Sequence, residues 1–351
     1  LGYIILKNIN SNLTSAIDLE NQSNIQTAFN TSENKKIPTM FTAKAFSNIY
    51  VQDSAIAAEE ATIGNWVLGA SNSKSDKETA INILLQQLRT TYITNYINTW
   101  ENLLGNIRLT KPQNLSQTDA LIVKLVSNDS PLLQLLQTLH DNTYFDPIAS
   151  SSPKLHNMGL LIDKNNEANN LLYQIFSGLQ SLHQYLNTII SAENERKAAF
   201  DALAARMSHT GNPDIITQLR ILADKSPEPM KSWLNKITSD SLRFMMQDAT
   251  RYLDLSWEEQ VGRPYETEIA NHYPFSVNAT QEVALNKFTQ FFGNPGTLMS
   301  FYHNYLSPFI DTSSTEWHWK TIDNQKLPFS EETLRQIQVA MNIHHMFFPN
   351  G

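Results

Sequence analysis

Apolar residues recur three and four positions apart through most of the chain, and that spacing predicts helices. The clearest run is Ile81, Leu84, Leu85, Leu88, Tyr92, Tyr96, Trp100, Leu103, Leu104 and Ile107, which paints one stripe along a single long helix. A second stripe, Leu171, Leu172, Ile175, Phe176, Leu179, Leu182, Leu186, Ile189 and Ile190, has the same period and is too long for an ordinary strand. Ser130-Pro131 sets a capping hydroxyl before a proline at the first helical position, so Leu132, Leu133, Leu135, Leu136 and Leu139 read as a buried helix. The alanine-rich run from Lys197 to Met207 stops at Gly211-Asn212-Pro213, and Asp214 to Lys225 makes a further short helix. Ser226-Pro227 is expected to open the next one, with Met230, Trp233, Leu234 and Ile237 as its buried face. Asn278-x-x-Gln281 reads as a capping box for a helix through Leu285, Phe288 and Phe291, closed by Gly293.

Elsewhere the period fades. From Asn8 to Lys36 the chain is rich in Asn, Ser and Thr, which compete for backbone hydrogen bonds, and it predicts only a loosely helical lead-in. Tyr144 to Asn157 holds Asp146-Pro147, three serines and Ser152-Pro153, a helix-breaking stretch where a domain joint is expected. Strand-like alternation is confined to Glu316 to Leu327, where Trp317 and Trp319 flank His318, so at most one short β-hairpin is expected. The fold class that follows is all-α, a multi-subdomain helical bundle. Its expected parts are a lead-in over 1–36 and helical subdomains over 37–150, 151–275 and 276–351.

Composition narrows the function. At 351 residues, with 41% hydrophobic and 17% charged, the chain can bury two or three cores and is neither disordered nor a disulfide-stapled miniprotein. A net charge of −8 offers no global positive field, so no nucleic acid partner is expected. The absence of cysteine removes thiolate nucleophiles, Cys-ligated metals and disulfides together. No stretch approaches the roughly 18 to 20 apolar residues of a spanning helix, and Leu1-Gly2-Tyr3-Ile4-Ile5-Leu6 ends at Lys7 without a signal-peptide layout. Because the first residue is Leu, the chain reads as a fragment whose upstream neighbour, a membrane anchor, is missing.

Catalytic patterns are sparse. No phosphate-cradling G-x-x-x-x-G-K-S/T occurs, and Gly293 and Gly296 around Asn294-Pro295 read as a turn. His344 and His345 are adjacent, so on a helix they point about 100° apart rather than converging on a metal as an i, i+4 pair does. The remaining histidines, His140, His156, His183, His209, His272, His303 and His318, are dispersed. Glu59-Glu60, Glu258-Glu259 and Glu331-Glu332 could supply the two carboxylates of a glycosidase, but neighbouring helical carboxylates diverge and suit first turns or exposed faces. No G-x-S-x-G elbow is present, and sequons such as Asn12-Leu13-Thr14, Asn30-Thr31-Ser32 and Asn114-Leu115-Ser116 are what an Asn-rich chain contains by chance. No catalytic, cofactor-binding or metal-ligating residue is nominated, and no cofactor is expected.

A family resemblance is carried instead by aromatic and proline clusters in a fixed order. Ile37-Pro38-Thr39-Met40-Phe41-Thr42 with Phe46, Trp66-Val67-Leu68-Gly69, and Tyr92-x3-Tyr96-x3-Trp100-x2-Leu103-Leu104 come first. Asp129-Ser130-Pro131-Leu132-Leu133, Ala198-Ala199-Phe200, Ala223 to Pro229 with Trp233-Leu234, and Trp257-x3-Val261-x3-Tyr265 leading to Tyr273-Pro274-Phe275 follow. Glu282-Val283, Phe288-x2-Phe291-Phe292-Gly293-x2-Gly296 and Leu306-x-Pro308-Phe309-Ile310-Asp311 complete the series. Collinear from residue 37 to the end, these clusters resemble the IcmF family of bacterial secretion proteins, called TssM in type VI systems. Where the family commonly has Gly-Leu-Tyr-Thr after Ile-Pro, this chain has Thr39-Met40-Phe41-Thr42.

The resemblance implies the periplasmic region of an inner-membrane protein that scaffolds a secretion apparatus, anchored by upstream membrane helices. It implies a DotU- or TssL-like inner-membrane partner bound through other regions, contacts with periplasmic or outer-membrane components, and possible homo-oligomer formation in the assembly. A β-rich domain usually follows the Phe347-Phe348-x-x-Gly351 segment in the family and is not part of this chain. The Asn-rich, weakly charged composition fits a divergent member of the type IVB (Dot/Icm) branch, with type VI as the other branch of the family. The expected function is therefore a non-catalytic scaffold. Its rivals are an all-α hydrolase, carbohydrate-active or metal-dependent, and a soluble adaptor that takes peptides in a helical groove. Trp66, Trp100, Trp233, Trp257, Tyr265, Tyr273, Phe275, Phe291 and Phe292 are expected in the core, because large rings at helical spacing bury best.

Overall fold

A computed structural model describes residues 2–9, 17–18, 24–31, 36–66, 74–163, 168–208, 213–322, 325–326 and 330–348. Helices carry the architecture, as expected for an all-α chain. The principal ones are Ser54–Trp66, Lys74–Asn106, Leu115–Val126, Pro131–Thr143, Pro153–Leu160, Ala168–Ile190, Glu195–Ser208, Ile215–Lys225, Met230–Trp257 and Glu331–Phe347. Two compact units divide them: one comprises residues 1–113, 117–183 and 215–238, the other 114–116, 184–214 and 239–351.

In the first unit the 33-residue helix Lys74–Asn106 supplies the central stripe. Its C-terminal half buries Leu88, Tyr92, Tyr96, Trp100, Leu103 and Leu104, while Ile81, Leu84 and Leu85 are only partly covered. The aromatic rings are polar at one end, and each finds a main-chain acceptor. Tyr92 donates to the carbonyl of Met40, Tyr96 to that of Asn142 and the Trp100 indole to that of Phe41. Phe41, Phe46 and Phe145 pack against this face with ring centroids 5.0 to 6.1 Å apart. Such pairs add about 0.5–1.5 kcal/mol beyond the area they bury.

Both serine-proline signals act as helix starts. Ser130 Oγ accepts from the Leu133 N–H at 3.1 Å ahead of Pro131, and Ser152 Oγ accepts from the Leu155 N–H at 3.2 Å ahead of Pro153. The segment expected to break helices thus holds two short ones, Ile148–Ser151 and Pro153–Leu160. Leu133 departs from its expected burial and is 39% exposed, because it falls on the far side of the Leu132, Leu135, Leu136 and Leu139 stripe.

In the second unit, residues 258–270 prolong the helical path of Met230–Trp257 through wide π turns at Glu258–Gly262 and Glu266–Ala270. They lie either side of Pro264, which has no N–H to give and crowds the carbonyl four residues back, the circumstance that π turns relieve. Phe200, Tyr252, Tyr305 and Phe309 form a second ring cluster, with centroids 5.5 to 6.2 Å apart.

Several expectations need correction. The lead-in is not loosely helical throughout: a helix, Gly2–Ile9, is followed by short strands at Ile17–Asp18, Phe29–Thr31 and Lys36–Ile37. Phe29–Thr31 pairs with Ile107–Leu109, directly after the long helix, and a distant edge of this kind is invisible to local periodicity. In place of at most one hairpin the described residues hold four two-stranded antiparallel pairs, including Thr321–Ile322 with Gln325–Lys326 inside the expected segment. Ser226 does not open a helix. Its hydroxyl donates to the Leu222 carbonyl and closes the helix before it, and the next begins at Met230. The box at Asn278 and Gln281 is likewise not a helix start, since the helix is Leu285–Phe292; Gly293 does cap its end. Val67–Gly69, Gly211-Asn212, His209 and Leu327 lie outside the described residues, as does the side chain of Trp66.

Candidate interaction surface

The second unit carries an apolar groove of about 480 Å³ beside its last helix. Local chemistry fixes that helix. Ser330 Oγ accepts from the Thr333 N–H at 2.9 Å, Glu331 and Glu332 occupy the positive first turn, and His344 and His345 stand in the last. Leu334, Ile337, Met341 and His344, spaced three and four apart, form its buried face. The neighbouring positions Val339, Ala340 and Ile343 make one wall of the groove.

The facing wall is aromatic. Phe291 and Phe292 meet edge to face at 4.8 Å, Phe275 stacks on Phe292 at 5.9 Å, and Tyr265 lies 5.7 Å from Phe291. Edge-to-face and offset contacts are the arrangements that the ring quadrupole favours. At the rim Arg335 is ion-paired with Glu332, beside Gln336. Such a groove can take apolar side chains at its centre and a polar group at its edge. An adjoining cavity of about 380 Å³ contains Asp254, whose carboxyl is pushed above the usual carboxylate range by burial.

His344 is engaged in structure. Its Nδ1 donates to the Phe292 carbonyl at 2.6 Å, which ties the last helix to Leu285–Phe292 and sets the tautomer. His345 beside it is exposed, the two rings at 61°. Among the described residues no group of three or more His, Cys, Asp or Glu could hold a metal ion. Glu59, Glu60, Glu258, Glu259, Glu331 and Glu332 are all exposed. His183 pairs instead with Asp119 at 2.8 Å.

Of the aromatics expected in the core, Trp100, Trp233, Phe291 and Phe292 are buried, and Trp257 and Phe275 are half-buried. Tyr265 and Tyr273 are corrected to the surface, at 36% and 52% exposed. For Tyr273 the signal was available in its polar neighbours, Asn271-His272-Tyr273-Pro274, whereas Tyr265 continues the spacing of Trp257 and Val261 and its exposure was not readable from period alone. The groove itself was not legible, because its walls come from separate segments, Trp257 to Leu298 and Glu332 to Ile343, that local periodicity does not connect.

Comparisons with known proteins agree with this architecture. A family model described as "IcmF-related: Intracellular multiplication and human macrophage-killing" matches residues 4–144, and one described as "Type VI secretion protein IcmF helical domain" matches residues 248–351. The chain belongs to the IcmF/TssM family. It is 23% identical over 349 residues to the type VI secretion system component TssM1 of Pseudomonas aeruginosa, a match covering 89% of this chain and 31% of that protein. The chain therefore spans about a third of the length of this curated relative. Its fold is similar to a chain of a solved "Type VI secretion system membrane core complex", with a TM-score of 0.72 at 18% identity, over 98% of this chain and 69% of that one. A chain of a solved "Type VI membrane complex" gives a TM-score of 0.63 at 16% identity, over 97% and 68%. Among the described residues no helix is long and apolar enough to cross a membrane.

Proposed function

We propose that this chain is a non-catalytic structural part of the membrane complex of a bacterial protein secretion system. It serves by presenting rigid helical faces to other components. The observation that carries the reading is the likeness in fold, over 98% of the chain, to a chain of a type VI membrane core complex. The relative and both solved structures belong to type VI systems, which favours that branch over type IVB. In this reading the chain lies in the periplasm, membrane helices elsewhere in the protein anchor it, and a TssL- or DotU-like protein binds through other regions. The groove beside Glu331–Phe347 is the surface nominated for contact with a further component. The division at 37–150, 151–275 and 276–351 belongs to the same proposal, and limited proteolysis that cuts near 150 and 275 would support it.

Deleting the corresponding region and measuring effector export tests the scaffold. Loss of export with the other components still present is expected, and normal export would overturn it. Crosslinking in intact envelopes, followed by mapping of the linked residues, locates the contacting faces.

A further inference from the structure

A further cavity, of about 460 Å³, lies in the first unit and is lined by both apolar and cationic side chains. Its apolar part is made by Leu104, Leu109 and the buried Trp233, whose indole donates to the Ile107 carbonyl at 3.4 Å. Around that part stand three cations, Arg108, Lys154 and Lys236, against a single acid, Glu228. Glu228 is occupied, accepting from the Ser232 hydroxyl at 2.6 Å and from its backbone N–H. Arg108 gives one N–H to the Ile107 carbonyl, and among the described residues neither Arg108 nor Lys154 is ion-paired. In a chain of net charge −8, a positively charged, partly apolar cavity is a local reversal of sign. Fields of this kind select a partner of opposite charge.

We infer that this cavity docks an acidic peptide segment of a protein partner, its carboxylates meeting Arg108 and Lys154 and an apolar side chain resting on Leu109 beside the edge of Trp233. A bare phosphate or a lipid headgroup would use the cations and leave the apolar floor uncovered. A nearby glycine supplies a clean test. Gly105 lines the cavity near the end of helix Lys74–Asn106, and a Cβ built there meets nothing within 4 Å. A large side chain at this position therefore enters open space, and replacing a helical glycine does not weaken the helix. The inference concerns binding and stands or falls independently of export.

The experiment is fluorescence anisotropy with a labelled peptide of alternating Glu and Leu, run on the protein and on Gly105→Trp, Arg108→Glu, Lys154→Glu and the distant control Lys124→Glu. Binding is expected to weaken about tenfold or more in the first three and not in the control, and to fall as salt rises. Equal binding by all variants overturns the proposal, as does a loss equally large in Lys124→Glu. Binding of phosphatidylglycerol vesicles that Gly105→Trp abolishes, with no binding of the peptide, overturns it in favour of a lipid surface. Melting curves that match the parent show each variant to be folded. Should Gly105→Trp fail that check, the two charge reversals decide.

Discussion

The indole nitrogen of Trp100 reaches the main-chain carbonyl of Phe41 at 2.8 Å, across 59 residues of sequence and inside the core. A fully buried side chain here both fills volume and donates to a main-chain acceptor. Trp100→Phe keeps most of the apolar contact but removes that hydrogen bond, at an expected cost of about 0.5–1.5 kcal/mol. Trp100→Ala adds a cavity and should cost about 3–5 kcal/mol. Urea unfolding of the two variants separates these effects, and equal losses would show that the hydrogen bond contributes nothing.

Alkaline pH should unfold this protein through the same helix. Burial pushes the phenols of Tyr92 and Tyr96 well above their ordinary range. The unfolded chain therefore ionises first once the pH passes about 10, whereas the folded chain holds its protons. The stability these groups confer is complete below that pH and declines as pH rises toward the folded-state values, by up to about 1.4 kcal/mol per pH unit for each tyrosine. Tyr92→Phe and Tyr96→Phe should flatten the fall of melting temperature between pH 10 and 11, which thermal scans across that window measure.

The two serine caps differ in what else they hold. Ser130 Oγ also donates to the Leu125 carbonyl, whereas Ser152 Oγ donates to Glu101 Oε1 at 2.6 Å on the long helix. Ser130→Ala and Ser152→Ala should each destabilise by about 1 kcal/mol from the cap, with a further loss from the second bond. Ser152→Ala paired with Glu101→Gln in a double-mutant cycle should show coupling, and Ser130→Ala with Glu101→Gln none.

Gly159 is a packing requirement. A Cβ there would stand 2.5 Å from Tyr144 Cδ2. The ring of Tyr144 is itself held between His140 and His156, at 4.9 and 5.4 Å. Gly159→Ala should destabilise by about 1–3 kcal/mol despite the gain in helix propensity. In a Tyr144→Ala background the two nearest atoms, Cδ2 and Cγ, are gone, so Gly159→Ala should cost much less there, as denaturant midpoints will show.

Val339, 55% exposed on the groove wall, separates folding from function. Val339→Glu should change stability by no more than about 0.5 kcal/mol. If the groove contacts another secretion component, export falls while the chain remains folded; unchanged export would remove the groove from the proposed interface.

The long stripes were legible because burial on one face of a helix leaves a mark every three or four residues, and Leu88 to Leu104 or Leu172 to Ile189 carry it. Caps at Ser130 and Ser152 were equally open to reading, although the second was taken for a break, since proline signals the start of one helix as readily as the end of another. What escaped was non-local. The pairing of Phe29–Thr31 with Ile107–Leu109, the His344 bond to Phe292 and the ring of cations around Trp233 each join distant segments. The surface position of Tyr265 and Tyr273 has another cause: ring type alone does not decide burial, and Tyr273 stands among polar neighbours while Tyr265 is at the open edge of the groove.

Three acceptors along the Tyr92, Tyr96 and Trp100 face are main-chain oxygens, those of Met40, Asn142 and Phe41. Every amino acid offers that same oxygen, so residues 40, 41 and 142 are free to drift where packing allows, while the three donors are bound to their identities. A scaffold wired in this one-sided way can change residues at its acceptors and keep its shape, in keeping with a shared fold at 16–18% identity.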